Sequence, residues 1–234
     1  MTIIVFDGKH LVADGRAVLR NNKFPEYLST KDVTKIVVLP NPWVYLNNTV
    51  LKAIAGTGVE SDIEMVKTEI FRALQQGELG NDFTNRFEFC FKEKFNCNIV
   101  GIGITTKPNG EKIPVPIRVY SGNKQNKIFH SHIWSNGSTD KFSVAGSIKT
   151  LPSDLNMSDI FNNGVELASW VSSTNPRMVG GMLTRYNPIT GKLDHPNHTQ
   201  GEKLISINKK ILKLESKRVL EKYSYYENLI KKTV

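Results

Sequence analysis

The N-terminal stretch places two short apolar runs on either side of turn residues, which predicts a β-hairpin. Residues 3–6 are Ile, Ile, Val and Phe, and residues 11–13 are Leu, Val and Ala. Between them, Asp7-Gly8 is a dipeptide that accepts the positive φ angles of a tight turn. Because both runs are apolar at every position, we expect both strands to lie inside a sheet that is covered on two faces.

Further strands are indicated by apolar runs between turn residues. We expect a strand over residues 35–39, a turn at residues 40–42 and another strand or hairpin over residues 43–54. Residues 97–106 are typical of a central strand, and residues 113–120 contain prolines that favour an edge strand or a bulge. The polar residues 19–30 have no periodicity and are predicted to form a loop.

Apolar residues at helical spacing predict helices between and after these strands. Ser61 is the expected N-cap of the first helix, with Glu64 completing a capping box. A second helix is expected over residues 83–95, where phenylalanines share one face, and a third over residues 157–173.

The last part of the chain, residues 201–234, is predicted to be an added amphipathic helix. Its apolar stripe runs from Leu204 to Ile230, and Lys and Arg outnumber acidic residues on its other faces. We expect this helix to dock on a partner, and the alternative is that it packs on its own subunit. Residues 1–200 would then form the main domain, with an insertion at about residues 123–141.

Composition limits the classes of protein to which the chain can belong. It has 234 residues, enough for one large domain, and no stretch reaches the ~20 apolar residues that span a bilayer. There is no signal-peptide pattern, and the cysteines Cys90 and Cys97 are not spaced like a zinc site or a redox pair. These features predict a cytoplasmic protein without a membrane partner. The formal net charge of +9 has no nucleic-acid motif beside it, so we do not predict a nucleic-acid partner.

No metal site or cofactor is predicted. His130 and His132 would share one strand face at the spacing of metal ligands. A third ligand is missing from their neighbourhood, so the pair is not expected to hold a metal ion.

The second residue offers candidate chemistry. Thr2 is small enough for the initiator methionine to be removed, and an N-terminal threonine carries both a nucleophilic hydroxyl and its own base. That base is the α-amino group, whose ordinary pKa of about 7.7–8.0 leaves a neutral fraction at physiological pH. The alternative is that Thr2 is only the second residue of a strand.

The order of Asp14, Lys35 and Gly56 after this threonine resembles proteasome β-type subunits and the bacterial peptidase HslV, which are N-terminal-nucleophile (Ntn) hydrolases. The resemblance implies an α+β fold, a four-layer αββα sandwich, and a homo-oligomer built as a ring or stacked ring. It also implies that Asp14 is the family aspartate, that Lys35 lowers the pKa of the threonine hydroxyl, and that the Gly56 N–H donates to the oxyanion. Residues 142–147 resemble the family strand that ends in a Gly-Ser turn near the active site, so Ser147 either assists proton transfer or is a turn serine.

Two features depart from the family pattern and leave two functions open. Residues 175–179 stand where active relatives have an Asp and a Ser before the glycine pair. The first hairpin is also short, so either Met1 or Thr2 falls at the nucleophile position. The chain is therefore either a threonine-type peptidase or amidohydrolase acting on a peptide or amide, or an inactive proteasome-fold protein of assembly or binding. Its short opening resembles stand-alone members of this kind encoded by tailed bacteriophages.

Overall fold

The chain has an α+β fold in which helices accompany antiparallel sheets. The computed structural model describes residues 2–20, 28–46, 49–75, 95–121, 141–146 and 156–233. The strands are β1 Ile3–Phe6, β2 Leu11–Ala13, β3 Arg16–Arg20, β4 Leu28–Asp32, β5 Ile36–Leu46, β6 Thr49–Gly58, β7 Cys97–Thr106, β8 Lys112–Ser121, β9 Ser143–Gly146, β10 Thr184–Tyr186 and β11 Leu193–Asp194. The helices are α1 Glu60–Gln75, α2 Met157–Ile160, α3 Gly164–Thr174 and α4 Glu202–Thr233.

The N-terminal hairpin is the centre of a five-stranded sheet with the order β11-β10-β2-β1-β9. β1 lies between β2 and β9, and all its residues are buried. At the turn, Gly8 has a φ of 87°, and the Asp7 carboxylate accepts hydrogen bonds from the backbone N–H groups of Lys9 and His10. The predicted hairpin, with both strands inside a covered sheet, is confirmed.

A second sheet has the order β5-β6-β7-β8, so β5 and β8 are its edge strands. The predicted turn at Pro40–Pro42 is wrong, because β5 runs through it with a shift of register between Val38 and Trp43. Proline is tolerated there because an edge strand has no partner for an N–H on its outer side. β8, with Pro114 and Pro116, is the edge strand that its prolines predicted.

The loop predicted over residues 19–30 is also wrong where the structure describes it. β3 and β4 form a two-stranded antiparallel sheet, in which Val18 is opposite Thr30. Backbone pairing, which needs no apolar alternation, produces these strands, so the hydrophobic pattern did not show them.

Three clusters of buried side chains fill the spaces between the helices and the sheets. The first lies between the five-stranded sheet and helices α2, α3 and α4, and the second lies between the four-stranded sheet and α1. The third joins the two sheets and contains Ile4, Phe6, Leu11, Ala13, Ile36, Ala53, Ala55, Val100, Ile102, Ala145 and Tyr186. The N-terminal hairpin therefore contributes side chains to the layer between the sheets, and the site described below lies at one end of this layer.

The predicted helices are present with different ends. α1 begins at Glu60, so Ser61 lies inside the helix and not at the predicted N-cap. The helix predicted over residues 157–173 is broken, because Asn163 accepts a hydrogen bond from the Glu166 N–H and caps a new helix, α3. The helix predicted over residues 83–95 lies almost wholly outside the described residues, as do the insertion at 123–140, His130 and His132.

The C-terminal helix α4 begins on its own domain. Ile207 and Ile211 are buried in the first cluster, and the Trp170 indole donates to the Asn208 side chain at 2.8 Å. The first half of α4 therefore packs on α3, as in the alternative to partner docking. Large apolar side chains of the second half are exposed, namely Val219, Leu220, Tyr223 and Tyr225. None of the described helices is both long and apolar enough to cross a membrane.

Candidate active site

The Asp14 carboxylate connects three segments of the chain at the end of β2. Its Oδ1 accepts hydrogen bonds from the Ile3 N–H at 2.8 Å and from the Lys35 ammonium at 2.9 Å. Its Oδ2 accepts from the Gly180 N–H at 3.1 Å. The side chain is 1% exposed, so these donors replace water as the partners of the carboxylate.

Lys35 lies just before β5 and points its ammonium toward the N-terminal hairpin. Besides Asp14, the ammonium donates to the Arg16 carbonyl at 2.7 Å. Burial lowers the pKa of Lys35, while the charge and hydrogen bond of Asp14 act against this shift. Burial likewise raises the pKa of Asp14, while the positive charge of Lys35 acts to lower it. The two groups thus form a buried ion pair with both partners held by backbone atoms.

Thr2 is buried and lies one residue before the segment that binds Asp14. It is 7% exposed and precedes Ile3, whose backbone N–H and carbonyl both bind Asp14. The Thr2 carbonyl lies against Gly146 of β9, so close that a side chain at Gly146 would collide with it. Gly146 also has a φ of 107°, which residues with a Cβ rarely adopt. Glycine at this position therefore allows the close approach of β9 to the start of β1.

Gly56 of β6 is placed near Lys35 by the pairing of the second sheet. Ile36, which follows Lys35, is paired with Ala55, which precedes Gly56. A Cβ at Gly56 would lie 3.0 Å from the Ile99 side chain and would collide with Ile63. The packing of α1 on the sheet is thus by itself a reason for glycine here.

Two predicted site positions lie outside the described residues. Ser147 follows the last described residue of β9, and Met1 precedes the first described residue of the chain. The structure therefore joins Asp14 to Lys35 and to Ile3, the residue after Thr2, while Gly56 follows the residue that pairs with Ile36.

Three groups of this site were not predicted from the sequence. The Gly180 N–H binds Asp14, and the Gly180 carbonyl accepts from the Arg16 N–H at 2.8 Å, so the loop before β10 supports the pair through its backbone. Backbone donors leave no side-chain signal, although the glycine pair at 180–181 marked this loop. Gly146 and the buried Thr57, which lies next to Gly56, were also not recognised.

Comparisons with known proteins find similarity to solved structures alone. No family model and no curated protein matches the chain. Among solved structures, it is similar to an Anbu (Gly-1) mutant from Hyphomicrobium sp. strain MC1, at 14% identity and a TM-score of 0.45 over 97% of this chain and 100% of that one. It is also similar to Anbu (ancestral beta-subunit) from Yersinia bercovieri, at 13% identity and a TM-score of 0.46 over 95% of this chain and 96% of that one. Neither similarity decides the chemistry of this chain, which rests on the contacts described above.

Proposed function

We propose that the chain is a proteasome β-subunit/HslV-like Ntn-fold protein that acts as a threonine-type peptidase or amidohydrolase. The observation that carries the proposal is the buried Asp14–Lys35 pair, which is hydrogen-bonded to the residue after Thr2. The positions of the three hydrophobic clusters, one between the sheets and one between each sheet and its helices, support the four-layer αββα sandwich.

The mechanism assigns one role to each residue. Once Met1 is removed, the Thr2 hydroxyl attacks the carbonyl carbon of an amide, and its proton passes to the Thr2 α-amine. The Lys35 ammonium has three N–H donors, of which Asp14 and Arg16 take two, and we assign the third to the Thr2 hydroxyl. The positive charge then favours the alkoxide form of the attacking oxygen.

The remaining steps complete the hydrolysis. The Gly56 N–H stabilises the oxyanion of the tetrahedral intermediate. The protonated α-amine gives its proton to the leaving amine as the C–N bond breaks, which leaves an ester on Thr2. A water molecule, deprotonated by the same α-amine, then attacks the ester carbon. The bond from this carbon to the Thr2 Oγ breaks, the Oγ takes the proton back from the amine, and the acid is released. Asp14 keeps Lys35 charged, and Ser147 is the proposed assistant in proton transfer.

The alternative function is an inactive assembly or binding protein of the same fold. It is favoured by the packing of Gly56 under α1, which explains this glycine without an oxyanion, and by the burial of Thr2. In both cases we propose a cytoplasmic homo-oligomer, in the host cytoplasm if a bacteriophage encodes it. The exposed apolar side chains of the second half of α4 are the proposed contact with another copy.

Intact-mass measurement and covalent labelling test the proposal. We expect Met1 to be absent and a peptide epoxyketone or β-lactone to add once to Thr2. Thr2→Ala and Lys35→Ala should not be labelled, whereas Thr2→Ser should be. Lys31→Ala is the matched control, since Lys31 forms an exposed salt bridge with Glu60 away from the pair. A wild-type protein with a free Thr2 that resists both probes would support the inactive alternative.

A further inference from the structure

Thr57 carries a buried hydroxyl that has no hydrogen-bond partner among the residues that the structure describes. The residue lies between Gly56 and Gly58 on β6 and is 0% exposed. Across the described ranges of the chain, its Oγ1 is the only buried side-chain nitrogen or oxygen without a hydrogen-bond partner. Buried hydroxyls nearly always have a partner, because leaving one unpaired costs free energy. A partner that is absent from the folded chain would therefore explain this residue.

The Thr57 hydroxyl lies near the backbone of Thr2, with Gly146 between them. Side chains alternate along a strand, so Thr57 lies on the same face of β6 as Ala53 and Ala55, which belong to the layer between the sheets. A Cβ built on Gly146 would lie 3.3 Å from the Thr57 Oγ1 and would collide with the Thr2 carbonyl. The free hydroxyl and the backbone of Thr2 thus meet at Gly146.

We propose that Thr57 is a positioning residue for the N-terminal amine, and that its Oγ1 accepts a hydrogen bond from the Thr2 α-amino group that removal of Met1 releases. This inference rests on the processing step of the proposed function. An amide nitrogen has one N–H, whereas an ammonium has three, so processing adds donors in a buried place. The Asp14 carboxylate already accepts from three donors, and among the buried side chains that the structure describes the Thr57 hydroxyl is the acceptor without a partner.

The hydrogen bond would orient the amine without taking part in proton transfer. With one N–H held by Thr57, the nitrogen lone pair is fixed in direction and can accept the proton of the Thr2 hydroxyl in the same residue. Because an acceptor oxygen stabilises the charged ammonium more than the neutral amine, it also raises the pKa of the amine. Loss of the hydroxyl should lower that pKa and slow the reaction of Thr2.

The test follows the titration of the Thr2 amine, which needs no turnover. A full chain is made with a cleavable leader directly before Thr2, so that the amine is free whether or not the cell removes Met1. The rate of acetylation of this amine by acetic anhydride is measured against pH by mass spectrometry of the N-terminal peptide. In Thr57→Val, we expect the titration to move to lower pH by about one unit, since a hydrogen bond to a charged group is worth about that much. Thr57→Ser should titrate as the wild type does.

Controls separate this role from a structural one. Thr49→Val changes the same residue type on the same strand, where the hydroxyl has Thr105 as its partner, and it should leave the amine titration unchanged. If the protein is active, Thr57→Val should also label with the epoxyketone more slowly than wild type, because its amine is no longer oriented toward the Thr2 hydroxyl. Thr57→Ala provides the same comparison if the valine variant does not fold.

The outcomes for the two proposals differ. If the Thr2 amine titrates in Thr57→Val as it does in the wild type, the positioning role is overturned. A wild-type protein that never labels, but whose amine titration shifts in Thr57→Val, would overturn the proposed hydrolase and leave the role of Thr57 supported.

Discussion

The Lys35 Nζ lies 2.9 Å from the Asp14 Oδ1 in a buried place, and each side chain is held by backbone groups from another segment. The pair therefore fixes the start of β1, the end of β2 and the start of β5 relative to one another. This relationship is the basis of the first prediction.

Removal of either charge should destabilise the protein strongly. Asp14→Ala leaves a buried ammonium without its counter-ion, and we expect a loss of about 3–5 kcal/mol in the free energy of unfolding. Urea denaturation measures the loss. The control is Glu60→Ala, which breaks the exposed Lys31–Glu60 pair and should cost less than about 1 kcal/mol. An Asp14→Ala variant as stable as the control would mean that both charged groups of the pair are solvated.

Gly146 should not tolerate alanine. Gly146→Ala adds a Cβ against the Thr2 carbonyl at a φ of 107°, so both the fold and any labelling of Thr2 should suffer. Gly110→Ala is the matched control, because Gly110 has a φ of 82° but no atom within 4 Å of the added Cβ. Gly110→Ala should lose only about 1 kcal/mol of stability, which is the cost of placing a residue with a Cβ at a positive φ. Equal melting temperatures for the two variants would contradict the close approach of β9 to Thr2.

Asp7 should make the free energy of unfolding fall as the pH is lowered in the acid range. Its Oδ2 accepts from the Gly164 N–H at 2.8 Å, which links the hairpin turn to the start of α3. Burial alone would raise the pKa of Asp7, but hydrogen bonds from His10 and Gly164 hold it below its ordinary value. The carboxylate therefore stabilises the fold above about pH 4 and loses this effect as the pH falls through the lower pKa of the folded state.

Asp7→Ala should accordingly cost about 1–2 kcal/mol at pH 7, as the loss of a helix cap does. The difference from wild type should shrink below about pH 4 in a series of urea titrations. Asp159→Ala, at an exposed acid of α2, is the control and should show no such convergence. A constant difference across the whole pH range would show that the charge of Asp7 is not involved.

The two halves of α4 should behave differently on truncation. Ending the chain after residue 200 removes Ile207 and Ile211 from the first cluster, so the melting temperature should fall. Ending it after residue 215 removes the exposed side chains Val219, Leu220, Tyr223 and Tyr225 and leaves the first cluster intact, so the fold should keep its stability, while light scattering should show loss of the oligomer. If the chain that ends after residue 215 keeps the particle mass of the full chain, the second half of α4 is not a contact between copies.

How much of this structure could be predicted depends on how local each contact is. The hairpin was predictable because Asp7-Gly8 and its flanking apolar runs lie within a few residues of one another. The resemblance suggested Asp14 and Lys35, and the structure places them in contact. The contact of Asp14 with Gly180 joins a side chain to a backbone N–H 166 residues away, and no pattern in a single sequence records such a pair.

Some errors had a visible signal and others did not. Asn163 before Gly164 marked the break in the predicted long helix, since asparagine is a preferred N-cap. In contrast, β3 and β4 pair through backbone groups and carry polar side chains such as Arg16 and Asp32 opposite each other. Their pairing is decided by the surrounding chain, so hydrophobic periodicity could not show it.

The prolines at the borders of the four-stranded sheet bear on aggregation. Pro40 and Pro42 lie in the edge strand β5, and Pro114 and Pro116 lie in the opposite edge strand β8. An exposed edge strand can be extended by a strand from another molecule, because its free N–H and carbonyl groups form a template. Proline removes the N–H and interrupts that template, so neither border of this sheet offers an uninterrupted row of donors. The two proline pairs therefore oppose the joining of two copies of the chain along the edges of this sheet.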